Sequence, residues 1–172
     1  GRRVWVGINT ALANRLVRAT IEAGCLEPWL GPIAGIRAEV AYGLNRRSRI
    51  DLLLTPAEGA ADQRPIYLEV KNTTWCDGDL ALFPDTVTER GQKHLEELMG
   101  VLPEARAVLV PCLSRSDLQR FAPGDQADPR YGELFREALA AGVEVLPCRY
   151  SFSDSSIDWL GVASVQAQSG GS

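Results

Sequence analysis

No stretch of this chain approaches the roughly 20 consecutive apolar residues that a bilayer-spanning helix needs. Its opening, Gly1-Arg2-Arg3 and then directly Val4-Trp5-Val6, also lacks the pattern of a secretory leader. A cytoplasmic protein with no membrane partner is the expectation, and the missing initiator methionine reads as an absent upstream segment. Cysteine is sparse. Cys25, Cys76, Cys112 and Cys148 are scattered with no Cys-x-x-Cys pair, which excludes the common zinc and redox motifs and leaves four reduced thiols. Histidine occurs once, at His94, and a lone His is read as a hydrogen-bonded structural residue. Excess positive charge is missing too: a net charge of -4 argues against a generic high-affinity nucleic-acid binder and leaves any such contact to a local basic patch or to a domain absent from this sequence.

What is present is a chain of 172 residues, 45% hydrophobic, enough for one domain with a real core. Two short aliphatic runs, residues 49–54 and 66–71, have the length and composition of core strands, yet the first carries Asp51 and the second Glu69 and Lys71. A charge inside such a strand must be paired, bound to a metal, or at the solvated end. Side chains alternate along a strand, so Glu69 and Lys71 share one face about 7 Å apart, with Val70 opposed. If the two strands pair, Asp51 can join that face. Two carboxylates and an ammonium converging there suit a hard cation, Mg2+ or Mn2+, with the lysine steadying a phosphate or an attacking water. A half-exposed strand with a solvated charged face gives the same spacing.

The rest of the chain frames that pair. After a strand end at residues 4–8, Asn9 or Thr10 caps a helix to about Ala23, with Leu12, Leu16, Ala19 and Ala23 at helical spacing and Gly24 at its stop. Pro28, Gly31, Pro32 and Gly35 read as a loop. Residues 36–42 form a first core strand containing Glu39, and Gly43-Leu44-Asn45 turns it into the second. Arg46, Arg47 and Arg49 are the densest positive cluster, placed either to hold phosphates or as a solvated hairpin tip. Residues 72–82 read as irregular. Pro84-Asp85-Thr86 then starts a helix to about Met99, with Val87, Gly91, Leu95 and Leu98 toward the sheet and Gln92, Lys93 and His94 within a turn. Beyond it come a buried strand at 105–113, a loop at 114–128, a helix at 130–141, a strand at 143–148 and a disordered tail over 161–172. The string predicts an α/β domain over residues 1–160, with a mixed central sheet flanked by helices.

Helix, three-strand meander, helix, strand, helix, strand is an order that resembles the restriction-endonuclease-like core of the PD-(D/E)XK nuclease superfamily. There an acidic residue and a following Glu-x-Lys hold a divalent metal against a scissile phosphate. The segments Val6-Gly7-Ile8-Asn9-Thr10, Ala13-Asn14-Arg15-Leu16, Glu39-Val40-Ala41-Tyr42-Gly43, Ser48-Arg49-Ile50-Asp51 and Glu69-Val70-Lys71-Asn72 carry a sharper likeness. Together with the block from Phe83-Pro84-Asp85 to His94-Leu95, the most specific of them, they resemble the sugar fermentation stimulation protein A family over residues 6–160. The resemblance implies a DNA-associated protein linked to regulation of sugar use, notably maltose, and an N-terminal OB-like domain that this chain does not include. Asp51, Glu69 and Lys71 match the superfamily's site and Glu39 a family acidic position, which makes Glu39, Asp51 and Glu69 the candidate metal ligands. Asp51, Glu69, Lys71 and Gln92 are then the candidate catalytic residues, and Arg46, Arg47, Arg49 and Lys93 the candidate DNA contacts. Two positions depart from the family pattern: Ala19 stands where a first-helix Glu is usual, with Glu22 three residues on, and Ala41 where Lys is common.

Three functions follow as alternatives: a Mg2+-dependent DNA nuclease, a DNA-binding regulator that keeps the fold without cutting, and a protein-interaction domain in which Asp51, Glu69 and Lys71 form only a structural ion network.

Overall fold

A computed structural model describes residues 9–168, so the strand end expected at residues 4–8 and the last part of the expected tail, 169–172, lie outside the described residues. Asn9 Oδ1 accepts the Leu12 N–H at 2.8 Å and opens helix α1 (Thr10–Glu22), which Gly24 ends with left-handed backbone at φ +78°. The buried stripe of α1 is Ala13, Val17, Thr20 and Ile21, so the helix is rotated from the expected face: Leu12 and Leu16 flank the stripe and Ala19 is exposed. Thr20 is tolerated inside because its hydroxyl donates to the Leu16 carbonyl at 2.7 Å and meets the Tyr150 hydroxyl at 2.8 Å. Pro28 does not break the chain. It sits in the first turn of a short helix, α2 (Glu27–Leu30), where its missing N–H would have had no partner.

Strand β1 (Ile33–Tyr42) starts earlier than expected and pairs antiparallel with β2 (Ser48–Pro56) across a short 3-10 turn at Leu44–Arg46. β2 pairs antiparallel with β3 (Ile66–Thr73), which runs parallel to β6 (Arg106–Leu113). Between them lie a hairpin, β4 (Trp75–Asp77) and β5 (Leu80–Phe83), and helix α3 (Glu89–Gly100). After β6 come β7 (Arg120–Pro123), α4 (Pro129–Ala141), β8 (Glu144–Val145), β9 (Cys148–Phe152), β10 (Ile157–Val162) and β11 (Ser164–Val165). The main sheet has the order β1-β2-β3-β6-β9-β10, with β8 also on β6; a smaller sheet has the order β11-β7-β5-β4. The α/β class and the mixed sheet are as the sequence predicts.

Several segments differ. Residues 72–82 are a hairpin rather than irregular chain, and the loop at 114–128 contains β7. The strand expected at 143–148 is two pieces, because Pro147 has no N–H to continue a ladder and the chain rejoins β6 only at Cys148. Residues 161–165, expected in the tail, complete β10 and form β11, and Ala163 between them is buried.

Helices cover both faces of the main sheet. Ala13, Val17 and Ile21 of α1 pack with Leu52, Leu54, Leu68, Val108 and Val110 on one side; Leu95 and Leu98 of α3 and Leu134 and Phe135 of α4 pack with Ala107 and Leu109 on the other. Burial on both faces explains why β6 is buried at every residue and reads as a continuous apolar run.

Candidate functional site

The site forms where two paired strands part. β2 and β3 are in register at Leu54–Ile66, Leu53–Tyr67 and Leu52–Leu68, and the ladder stops there. The next residue of β2 is Asp51, whose Oδ2 accepts the Val70 N–H at 2.7 Å, supplying the acceptor that a continuing ladder would have offered. Oδ1 accepts from Asn14 Nδ2 at 3.0 Å, so α1 holds the other oxygen. Burial, and then the nearby charge of Glu69, push the Asp51 carboxyl up to about 6, against the pull of the Val70 N–H, Asn14 and Lys71.

Glu69 and Lys71 emerge on one face of β3, as alternation predicts. Lys71 Nζ lies 3.4 Å from Glu69 Oε1. His94, from the buried face of α3, places Nδ1 3.0 Å from the same oxygen and 2.8 Å from Nζ. Nδ1 can accept from Lys71 or donate to Glu69, depending on which ring nitrogen carries the hydrogen. Burial raises the Glu69 carboxyl, but His94 and the Lys71 charge outweigh it and hold it below the ordinary range. The Phe83 ring lies 6.0 Å from Nζ and packs edge-on against Tyr131 at 5.4 Å, so the Phe83-Pro84 motif forms the apolar side of the lysine's pocket. Around Glu69 stand two buried phenols, Tyr42 and Tyr131, both raised well above their usual range by burial first and by the Glu69 charge next. Glu69 Oε2 and the Tyr131 hydroxyl have no hydrogen-bond partner among the described residues.

The other predicted residues fall in different places. Gln92 does not point at the carboxylates: its Nε2 donates to both oxygens of Asp128, at 3.1 and 3.0 Å. Asp128 is the hub of that corner, capping α4 by accepting the Tyr131 N–H and also taking the Thr88 N–H at the start of α3. Glu39 is exposed with φ +58°, and its carbonyl accepts from Arg49 Nη1 at 2.9 Å. Among the described residues no three His, Cys, Asp or Glu side chains cluster closely enough to enclose a metal, so the trio Glu39, Asp51, Glu69 is not brought together. Ala19 is exposed and Glu22 pairs with Arg18 at 2.9 Å on the outside of α1; the α1 residue that reaches Asp51 is Asn14.

Arg46, Arg47 and Arg49 are exposed around the β1–β2 turn, and Lys93 is exposed on α3. Glu97 joins the two elements, accepting from Ser48 Oγ at 2.5 Å and pairing with Lys93 Nζ at 3.7 Å, so the four cations flank one edge of the site. Val87, expected on the sheet side of α3, precedes the helix and is exposed. His94, Asn14, Tyr42, Tyr131 and Asp128 were not legible as site residues. The available signal was a polar side chain interrupting an apolar stripe: His94 shares its helix face with Gly91, Leu95 and Leu98.

The model of the sugar fermentation stimulation protein RE domain matches residues 11–156. The chain is 74% identical over 167 residues to the sugar fermentation stimulation protein homolog of Synechococcus sp. (strain RCC307), covering 97% of this chain and 67% of that one. With the homolog from Parasynechococcus marenigrum (strain WH8102) the identity is 76% over 162 residues, covering 94% and 64%. A structure of Pyrococcus furiosus SfsA in complex with Ca2+ superposes with a TM-score of 0.80 at 30% identity, covering 92% of this chain and 66% of that one. The chain thus spans about two thirds of the length of these relatives. A match over most of the chain, a shared fold and identities above 70% place this chain in the sugar fermentation stimulation protein family.

Proposed function

We propose that this chain is the divalent-metal-dependent core of a cytoplasmic DNA-acting protein, a PD-(D/E)XK-type phosphodiesterase domain whose DNA engagement serves the regulation of sugar use, maltose included. The observation that carries the reading is Glu69 Oε2, a buried carboxylate oxygen with no hydrogen-bond partner among the described residues, beside a second carboxylate driven toward its protonated form by burial and by Glu69 itself. A desolvated carboxylate pair with a free oxygen fits a hard cation, and Mg2+ commonly takes only one or two protein carboxylates, with water and phosphate filling the rest. The solved relative carries Ca2+, another oxygen-seeking cation, which supports the same assignment.

Asp51 and Glu69 would hold the ion. When bound, it supplies Lewis-acid polarisation of a phosphoryl oxygen and a more acidic water. The protein's own contributions are positional. Lys71, clamped by His94 and Phe83, presents an ammonium beside Glu69 for the charge that develops on phosphate. Tyr42 and Tyr131 remain neutral and keep the Glu69 pocket dry. The exposed Arg46, Arg47, Arg49 and Lys93 provide the local positive patch that the chain's net charge otherwise lacks.

Cleavage of plasmid and linear DNA in Mg2+ or Mn2+ tests the reading. Glu69→Gln and Lys71→Ala are each expected to lower the rate by about 100-fold or more, with the fold retained by circular dichroism. A second reading, DNA binding without cleavage, is favoured by the engagement of Gln92 with Asp128 and the outward placement of Glu39, which leave only two carboxylates at the site. Tight DNA binding that Asp51→Ala preserves or strengthens, with no cleavage in any metal, is its signature. Neither binding nor any metal effect would leave an interaction domain with a structural ion network.

A further inference from the structure

Among the described residues five large apolar side chains stand in solvent, and Leu44 is far out ahead at 84% exposed, against 62% for Val87. It sits at the tip of the β1–β2 turn, held there by unusual backbone: Gly43, Asn45 and Arg46 take φ of +76°, +58° and +54°. Asn adopts left-handed backbone readily, whereas Arg does so rarely, so Arg46 is the unusual residue of the turn. The flanks of the turn are firm. Ser48 Oγ donates to Glu97 Oε1 at 2.5 Å, Gly43 lies so close to the same carboxylate that a Cβ there would come within 2.8 Å of Oε1, and Arg49 donates to the Glu39 carbonyl. The turn is therefore a braced projection with an apolar tip, followed at once by Arg46 and Arg47.

An apolar side chain held rigidly among arginines is how proteins pry apart a base step from the minor groove, while the guanidinium groups occupy the groove's negative potential. We propose that Leu44 is such a wedge: it enters between two base pairs of duplex DNA, unstacks one step, and bends the duplex beside Asp51 and Glu69, with Arg46 and Arg47 in the groove and Arg49 on phosphate. The proposal rests on the DNA reading above and adds how the duplex is gripped. It also gives a source of sequence preference with no base-edge hydrogen bond, since pyrimidine–purine steps unstack most readily.

The test uses the full chain in Ca2+ and duplexes carrying, at successive positions, an adenine analogue that brightens when unstacked; binding is followed separately by anisotropy. Bound wild type is expected to brighten the analogue at one step, most strongly at a pyrimidine–purine step. Leu44→Ala is expected to abolish most of the brightening and weaken binding by about tenfold while leaving the salt slope unchanged, and Leu44→Met to restore the signal. A side chain this exposed can be replaced without threatening the fold. Binding with no brightening that depends on Leu44 overturns the wedge and leaves the DNA reading standing. No binding to any duplex overturns both.

Discussion

Asp51 fills the gap in the β2–β3 ladder and is destabilising while it does so. Its carboxyl is raised to about 6 from an ordinary 3.8, so the folded state binds that proton more tightly than the unfolded chain does. The sign follows directly: above pH 6 the penalty for an ionised, half-buried Asp51 is fully present, and as pH falls through about 6 toward 3.8 it disappears. The penalty is on the order of 2 to 3 kcal/mol. Asp51→Asn should therefore raise stability by about 1 to 2 kcal/mol at pH 7 to 8, after allowing for a weaker bond to the Val70 N–H, and should flatten the stability profile between pH 4 and 6. Urea unfolding across that range measures both. The substitution is accommodated because Asn14 Oδ1 has no partner among the described residues and a flip of its amide would present that oxygen to the new NH2. What the sequence shows at this scale is identity and not aim. Charges inside aliphatic runs mark Asp51, Glu69 and Lys71, but nothing in the spacing shows Gln92 turning to Asp128 or His94 turning to Lys71, since both lie on one helical turn and the helix's rotation is set by tertiary packing.

At the level of elements, the corner joining α3 and α4 depends on one side chain. Asp128 caps α4, takes the Thr88 N–H that opens α3, and holds Gln92, and those N–H bonds outweigh burial to keep its carboxyl below the usual range. Asp128→Ala removes a helix cap and orphans a second backbone donor. The expected loss is about 2 to 4 kcal/mol by urea unfolding, with Asp128→Asn losing roughly half as much. Long periodic elements were legible: α1, α3, α4 and β6 fall within a few residues of their expected bounds. Of the two-to-four-residue strands, β8 falls inside the strand expected at 143–148, whereas β4, β5, β7 and β11 were not legible, because a run so short carries no period, and their pairing is decided by the strand opposite. The face of α1 was misjudged for a related reason. Hydropathy favours Leu over Thr for burial, whereas Thr20 is buried by its bond to Tyr150.

For the whole molecule, metal and DNA should act through separate surfaces. A cation held by Asp51 and Glu69 is expected to raise the melting temperature by about 5 to 10 °C at roughly 100 times its Kd, and Glu69→Gln should abolish that rise without touching the basic edge. Replacing Arg46, Arg47 and Arg49 with Ala should leave the metal-induced rise intact while flattening the salt dependence of DNA binding by about 2 to 3 in slope. The sequence conveyed the order of elements and hence the meeting of β2 with β3; the parting of those strands at Leu52 was invisible to it. That parting bears on how the family can drift. Because Asp51 closes a gap in the sheet, a lineage that gave up its chemistry would still keep an acid or amide at 51 for the sake of folding. Glu69 is different: Oε1 is tied to Lys71 and His94, but Oε2 meets no partner among the described residues. Gln there keeps the first contact and gives up the carboxylate, so it would be the earliest trace of a descendant that had stopped using a metal.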